Sequence, residues 1–110
     1  MIKATFFKDS DGGYRGFSLS GHAGYAEAGS DIVCAAVSML AINTVNSIEL
    51  FTTDRIIANT DNEKGLLTCS FEGEVSSEST LLIDSLLLGL KEVERTYTDK
   101  TYIKISMKEV

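Results

Sequence analysis

Apolar and polar positions recur with two different periods along this chain, and the periods predict five strands and two helices. Strands are indicated where apolar residues occupy every second position, and helices where they recur every three or four positions. Clusters of Asp, Asn, Ser and Gly separate these segments and indicate turns. In chain order, strands are predicted over residues 2–8 and 14–20, a helix over 31–51, strands over 55–59 and 66–71, a helix over 78–96, and a strand over 101–107.

Each predicted helix, and the last strand, presents one apolar face. These positions are Val33, Val37, Leu40, Ile48 and Phe51 in the first helix, Leu82, Leu86, Leu90, Val93 and Tyr97 in the second, and Ile103, Ile105 and Met107 in the strand. Ser76 and Ser77 are candidate capping residues of the second helix. The order ββαββαβ predicts an α+β domain of two layers, in which two helices pack on an antiparallel or mixed sheet.

Length, charge and cysteine count narrow the class of protein. The 110 residues fit one domain over residues 1–110, large enough to bury a core without disulfides or metals. The net charge of −6, with no cluster of basic and aromatic residues, argues against nucleic acid or an anionic membrane as direct partner and favours a basic peptide or protein. We expect no membrane-spanning segment and no signal peptide, hence a cytoplasmic protein. Two cysteines are too few for a disulfide framework or a zinc site, and neither metal nor cofactor is expected.

The single histidine of the chain, His22, lies twelve positions before Cys34, between the second strand and the first helix. A thiol attacks as the thiolate, and imidazole is the side chain best suited to take its proton near neutral pH. Cys34 falls near the first turn of the predicted helix, where backbone N–H groups and the helix dipole favour an anion. The dipole supplies only about 0.3–1 kcal/mol, so His22 has to supply the rest. The pair predicts a cysteine hydrolase in which the same N–H groups hold an oxyanion.

Two neighbouring residues are assigned supporting roles. Ser30 and Asp31 are the candidate N-caps. Asp31, three residues before Cys34, could also orient the His22 ring, although its charge opposes thiolate formation. Ser38, one turn after Cys34, could donate a hydrogen bond to the sulfur or to a substrate.

The segment between the second strand and the first helix is predicted to form a mobile active-site loop over residues 21–30. Its flexible positions are Gly21, Gly24 and Gly29. Such a loop could swing the His22 ring toward the helix terminus or away from it, so the ring and the thiol need not meet before substrate binds.

Each of these residues also has a non-catalytic interpretation. A cysteine in an apolar run is more often an inert core residue, which is the interpretation kept for Cys69 on its predicted strand. A lone histidine after a strand is usually a surface residue, an aspartate such as Asp31 is usually only a cap, and a serine such as Ser38 usually bonds back along its own helix. The conjunction of His22, Asp31 and Cys34 in one strand-loop-helix unit favours the catalytic interpretation.

The runs GHAGYA (21–26) and GSDIVCAAVS (29–38) resemble the signature of the ribosomal-processing cysteine protease family, Prp. The resemblance implies a homodimeric α+β enzyme with a catalytic dyad of His22 and Cys34, and with Asp31 and Ser38 lining the site. It also implies the substrate, which is the N-terminal extension of a large-subunit ribosomal protein, removed before or during ribosome assembly. In that family the cut follows an apolar, aromatic-containing stretch and precedes a small residue.

Two alternatives belong to other classes of protein. One is a non-catalytic ribosome-assembly factor that grips the same ribosomal protein through an acidic surface, with Cys34 merely packed. The other is a thiol redox protein that uses Cys34 as a peroxidatic or sensing residue, against which the absence of a Cys-x-x-Cys spacing argues. A change in mass of an extended peptide would distinguish a protease from both.

Overall fold

A computed structural model describes residues 1–27 and 31–110 of the chain. Within these ranges the ββαββαβ order is confirmed, and the last strand lies two positions later than predicted. The elements are β1 (Ile2–Lys8), β2 (Tyr14–Ser20), α1 (Ile32–Phe51), β3 (Ile56–Asp61), β4 (Leu66–Phe71), α2 (Ser77–Thr96) and β5 (Ile103–Glu109).

The strands of the described residues form one mixed sheet in the order β3-β4-β2-β1-β5. All neighbouring pairs are antiparallel except β1 and β5, which are parallel. Phe17 of β2 pairs with Phe6 of β1 on one side and with Cys69 of β4 on the other, and all three side chains are buried. Because directly paired residues point to the same face, this face of the sheet carries the core. The predicted α+β architecture is confirmed.

The core joins this sheet face to one side of each helix. The buried helical side chains include Val33, Val37, Ala41 and Ile48 of α1 and Ile83, Leu86, Leu90 and Val93 of α2. Two predicted core positions are wrong. Phe51 is 71% exposed, because α1 ends there, and Met107 is 48% exposed, because burial falls off along β5, an edge strand with a neighbour on one side only.

α1 is long and apolar enough to cross a membrane by length and composition, although the sequence leads us to expect no membrane-spanning segment. Its buried side packs in the core, while the opposite side carries exposed apolar residues. These are Ile32, Met39, Ile42 and Leu50, whose spacing places them along one stripe of the helix. α1 is therefore a core helix with a second apolar face that the fold itself leaves uncovered.

The start of α2 is fixed by Asp54, which lies between α1 and β3. Its Oδ2 accepts hydrogen bonds from the backbone nitrogen of Ser76 at 2.9 Å and from the Ser76 hydroxyl at 2.6 Å. The Ser76 Oγ in turn accepts a bond from the Ser79 nitrogen at 3.1 Å, which confirms Ser76 as the N-cap. Burial alone would raise the pKa of the Asp54 carboxyl, but the donors from Ser76 and Ser79 hold it below its ordinary value.

Candidate active site

The first turn of α1 begins at Asp31, which is its N-cap and one of the two candidates that the sequence offers. The Asp31 backbone is extended, and its Oδ1 accepts a hydrogen bond from the Cys34 nitrogen at 2.9 Å. An N-cap carboxylate satisfies one of the N–H groups that a helix start leaves unpaired. Cys34 is therefore the third residue of α1, with its thiol at the helix terminus.

The Cys34 sulfur faces the loop that carries the histidine. The backbone N–H of Ala23 donates a hydrogen bond to Cys34 Sγ at 3.1 Å, and the thiol is partly buried. An N–H donor favours the anionic form of its acceptor, so this contact stabilises a thiolate. Ala23, the residue that follows His22, is therefore a direct hydrogen-bond donor to the sulfur.

The second oxygen of Asp31 joins this loop to the helix. Oδ2 accepts bonds from the backbone nitrogens of Tyr25 at 3.0 Å and Ala26 at 3.5 Å. Within residues 1–27 and 31–110, no hydrogen bond links this carboxylate to the His22 ring. In this structure Asp31 acts as a cap and as the acceptor that shapes the loop, not as the group that orients the imidazole.

The electrostatics of the site favour a neutral thiol in the free protein. Burial raises the pKa of Cys34 above its ordinary value of 9.0, the Ala23 N–H opposes this, and the negative charge of Asp31 adds to the rise. Burial also acts to raise the pKa of Asp31, but the backbone donors of Cys34, Tyr25 and Ala26 lower it, so this residue stays ionised. The like-charge opposition expected from Asp31 is therefore present, and the helix start alone does not make the thiolate.

His22 is exposed and lines two clefts that Cys34 also lines. Its carbonyl oxygen accepts a hydrogen bond from the Met1 nitrogen at 2.6 Å, which ties the backbone of the histidine to the start of β1. In the described part of the chain, the His22 ring makes no hydrogen bond to Cys34 Sγ. The structure thus brings the two predicted partners to the same clefts without joining them.

The two clefts meet at Cys34. One, of about 190 Å³, lies between α1 and the β3–β4 hairpin and has mainly apolar walls. The other, of about 480 Å³, lies on the side of the loop and is bordered by Gly24, Ala26, Asp31 and Ala35. His22, Cys34 and Ser38 line both. An extended chain that ran from one cleft into the other would pass the sulfur.

Ser38 is exposed, one turn beyond Cys34. No hydrogen bond from its hydroxyl to the sulfur or to its own helix is formed among the described residues, unlike Thr44, which donates to the Leu40 carbonyl at 2.8 Å. The Ser38 hydroxyl therefore faces the clefts with its donor available to a bound molecule.

The described part of the loop is anchored to the connection between α2 and β5. The Tyr25 ring packs edge-on against Tyr97 and Tyr102, with ring centroids 5.5 and 5.3 Å apart. Lys100 Nζ donates a hydrogen bond to the Gly24 carbonyl at 3.0 Å. Loop mobility stays a prediction, and Gly29, one of its three predicted flexible positions, lies outside the described residues.

Sequence reasoning missed the contributions of Ala23 and of the β3–β4 hairpin. Ala23 acts through its backbone N–H, which nearly every residue type carries, so its side chain gives no signal. Thr60 and Asn62 of the hairpin line the cleft beside Cys34, but the sequence shows them only as polar turn residues. Their position depends on β4 pairing with β2, which the pattern of the chain does not reveal.

Cys69 is the inert core cysteine that its alternation predicts. It is 1% exposed, and burial raises the pKa of its thiol to about 11, with a smaller contribution from Glu49. A thiol with this pKa is neutral throughout the physiological range.

Comparison with known proteins finds similar chains among cysteine proteases. The family model described as cysteine protease Prp matches residues 1–104. The chain is 30% identical over 103 residues to the ribosomal processing cysteine protease Prp of Bacillus subtilis strain 168, covering 90% of this chain and 92% of that protein. It is 28% identical over 99 residues to the protein of the same name from Staphylococcus aureus strain Mu50, covering 90% and 93%.

Two solved structures of the Staphylococcus aureus protease share the fold. The crystal structure of that essential ribosomal processing protease with a covalently linked product peptide has a TM-score of 0.89 and 28% identity, covering 98% of this chain and 100% of the other. The complex with a substrate peptide has a TM-score of 0.84 and 27% identity, with the same coverage.

Proposed function

Because this chain belongs to the cysteine protease Prp family, we propose that it is the endopeptidase that removes the N-terminal extension of a large-subunit ribosomal protein. The position of Cys34 carries the proposal: its thiol lies where two clefts meet, and His22 lines both. An endopeptidase needs this arrangement, since the substrate chain continues on both sides of the bond that is cut. The names of the relatives and the two peptide complexes support the same activity.

Cys34 is the proposed nucleophile. Its thiol transfers a proton to the His22 imidazole, and the resulting thiolate attacks the scissile carbonyl carbon. A bond forms between Sγ and that carbon while the carbonyl electron pair moves to the oxygen. The Ala23 N–H, which already donates to Sγ, stabilises the thiolate before attack.

His22 then returns the proton. The oxyanion collapses, the carbon–nitrogen bond breaks, and the imidazolium protonates the leaving amine. A water molecule next loses its proton to His22 and attacks the thioester, which releases the acid product and the Cys34 thiolate. The covalently linked product peptide of the Staphylococcus aureus protease supports a covalent route.

Backbone donors near the start of α1 are proposed to hold the oxyanion. The Cys34 N–H is already bound to Asp31 Oδ1, so it is not free for this task. The Ala23 N–H lies at the sulfur and is the donor best placed to follow the charge as it moves from Sγ to the adjacent oxygen. The proposed oxyanion donor is therefore an amide of the loop, in place of the first-turn amides of α1 that the sequence predicts.

Substrate selection is assigned to the two clefts. Apolar side chains from α1 and β4, among them Val37, Ala41 and Leu67, line the smaller cleft, which suits the apolar stretch that the resemblance implies before the cut. Ser38 is proposed to donate to the peptide backbone, because its hydroxyl faces both clefts. The formal charge of −6 supports a basic ribosomal protein as substrate and argues against direct contact with nucleic acid or an anionic membrane. A ribosomal protein as substrate supports a cytoplasmic location.

The homodimer implied by the resemblance is proposed to form through the exposed stripe of α1, made of Ile32, Met39, Ile42 and Leu50. These side chains are apolar, lie on one side of a helix whose other side is buried, and are left uncovered by the fold. Exposed apolar residues grouped on one side of a helix are more typical of a protein interface than of a free surface, although the exposed Asn46 lies between Ile42 and Leu50 on this side. A second copy of the chain is the proposed partner.

The decisive experiment is mass spectrometry of an extended ribosomal-protein peptide after incubation with purified protein. The wild type is expected to release the N-terminal extension and Cys34→Ala is expected not to, while Cys69→Ala serves as the matched control and keeps activity. Cleavage by Cys34→Ala would refute the assignment of the nucleophile. A stable complex with no change in peptide mass would instead identify a non-catalytic assembly factor.

A further inference from the structure

We propose that Gly65, in the turn between β3 and β4, is a positioning residue for His22. Its missing side chain lets the backbone of the turn pack directly against Gly21 and the imidazole ring. The proposal concerns the ring position; its effect on turnover rests on the proposed protease activity.

The contact follows from the pairing of β2 with β4. Leu19 is paired with Leu67, and in an antiparallel register two further residues bring Gly21 opposite Gly65. The turn that ends β3 therefore lies beside the residue that precedes His22. No side chain marks this contact, because both partners are glycines.

A methyl group at position 65 would not fit. Gly65 has φ +101°, and a Cβ built there would lie 2.2 Å from the Gly21 carbonyl oxygen and 3.2 Å from His22 Cε1. Ordinary contacts of a Cβ begin at 3.4 Å, so the Gly21 carbonyl would have to retreat by about 1 Å. That carbonyl belongs to the peptide bond that leads into His22.

On the side opposite the hairpin turn, Gly21 packs closely against the backbone of Met1. Gly21 has φ +87°, and a Cβ on it would lie 2.5 Å from the Met1 carbonyl oxygen. The His22 carbonyl accepts a hydrogen bond from the Met1 nitrogen at 2.6 Å. The backbone at residues 21–22 is therefore packed between Met1, at the start of β1, and the hairpin turn. A side chain at position 65 that displaces this backbone should also displace the imidazole.

The turn itself is well fixed and cannot easily absorb the change. Asp61 Oδ1 accepts bonds from the backbone nitrogens of Glu63 at 3.1 Å and Lys64 at 3.3 Å, and the Asp61 carbonyl accepts one from the Gly65 nitrogen at 3.1 Å. An acceptor with several backbone donors holds a turn in one conformation. The Gly21–His22 peptide is thus the part that moves.

The test compares Gly65→Ala with Gly12→Ala. Gly12, in the turn between β1 and β2, has φ +84° but nothing within 4 Å of its built Cβ, so both variants place a side chain at a positive φ and only one meets the loop. Gly65→Asn is the second variant, because Asn tolerates a positive φ better while it carries the same Cβ. It keeps the test valid should Gly65→Ala fail to fold.

The chain has a single histidine, so an NMR spectrum of ring Hε1 protons reports on His22 alone. We expect the Hε1 shift to move in the Gly65 variants and to match the wild type in Gly12→Ala. Peptide cleavage should fall roughly 10- to 100-fold in kcat with KM little changed, since a displacement of about 1 Å at a catalytic group costs this much.

An unchanged Hε1 shift in both Gly65 variants would overturn the proposal, as would equal kcat values for the Gly65 variants and Gly12→Ala. If the ring signal moves as expected but the wild type cleaves no peptide, the positioning role stands and the proposed protease activity fails.

Discussion

Ala23 and Cys34 are joined by a hydrogen bond from backbone N–H to sulfur, 3.1 Å long. The pKa of the thiol therefore depends on the position of the loop. The Ala23 donor would be lost if residues 22–24 moved away from α1. Burial and the charge of Asp31 raise the pKa of the thiol, and the Ala23 donor opposes them. The Cys34 thiol is therefore mainly protonated at neutral pH in the free protein.

Alkylation of Cys34 should require a higher pH than alkylation of an ordinary thiol. Its pKa is raised, so the thiolate fraction at neutral pH lies below that of an ordinary thiol, and the rate with iodoacetamide should rise with a midpoint above 9.0. Measurement in a Cys69→Ala background leaves one reactive thiol. A midpoint below 9.0 in the free protein would contradict the electrostatics of the site.

Asp31→Asn should separate the charge of Asp31 from its capping role. Asn caps a helix about as well as Asp, but it removes the negative charge that raises the pKa of Cys34. The midpoint of alkylation should therefore move to lower pH. The unfolding free energy should fall by about 1–3 kcal/mol, because the amide end of Asn cannot accept from Tyr25 and Ala26 as Oδ2 does.

Glu72→Gln, at an exposed position just after β4, is the control for this variant, because it removes one negative charge outside the site. It should leave the midpoint of alkylation in place. The same downward shift in both variants would mean that net charge, and not the contact with Asp31, sets the acidity of Cys34.

Low pH should weaken the two hydrogen bonds that Asp54 Oδ2 accepts from Ser76. The pKa of Asp54 is lowered in the folded state, so its contribution to stability is complete above the ordinary value of 3.8 and is lost as pH falls through the folded pKa. Asp54→Asn should lower the unfolding free energy by about 1–2 kcal/mol at pH 7 and by less at pH 3. Urea unfolding at the two pH values measures this, with Asp11→Asn on the exposed β1–β2 turn as control. A deficit that does not shrink at pH 3 would refute the assignment.

Tyr25→Ala should loosen the loop. The variant removes two aromatic contacts, with Tyr97 and Tyr102, and should cost about 1–3 kcal/mol in unfolding free energy. Hydrogen exchange at residues 22–26 should accelerate, and peptide cleavage should slow. Tyr25→Phe keeps both ring contacts and should behave as the wild type. Equal exchange in the two variants would show that the rings do not hold the loop.

Leu50→Glu should give a monomer if the stripe of α1 joins two copies of the chain. Leu50 is 76% exposed, so the substitution should not disturb the core, while a charge in an apolar interface is costly. Light scattering after gel filtration measures the mass. Leu88→Glu on α2, 70% exposed, is the matched control and should keep the dimer. A wild-type monomer would rule out this interface.

The features that the sequence predicts well are those that depend on neighbouring residues. The cap at Asp31 and the helical position of Cys34 follow from local backbone geometry. The apolar periods predict the order of the elements, since each strand or helix has to bury one face. The spacing of apolar residues does not show where the core stops along a helix or strand. It therefore predicts buried side chains at Phe51 and Met107, which are exposed.

The remaining parts of the site depend on contacts between distant segments. The Ala23 donor and the close approach of Gly65 to the Gly21 carbonyl both involve the backbone, so no side-chain pattern indicates them. The Tyr25 contacts join residues more than seventy positions apart, across a connection whose course depends on the parallel pairing of β1 and β5. Only the assembled sheet brings them to the loop.

The packing of Tyr25 against Tyr97 and Tyr102 also gives this protein an optical reporter. The chain has four tyrosines and no tryptophan, so its ultraviolet emission comes from phenol rings, three of which meet beside the loop. Withdrawal of Tyr25 on substrate binding would change the surroundings of all three rings at once. Stopped-flow fluorescence of the unlabelled protein could then time the movement of the loop against the release of product.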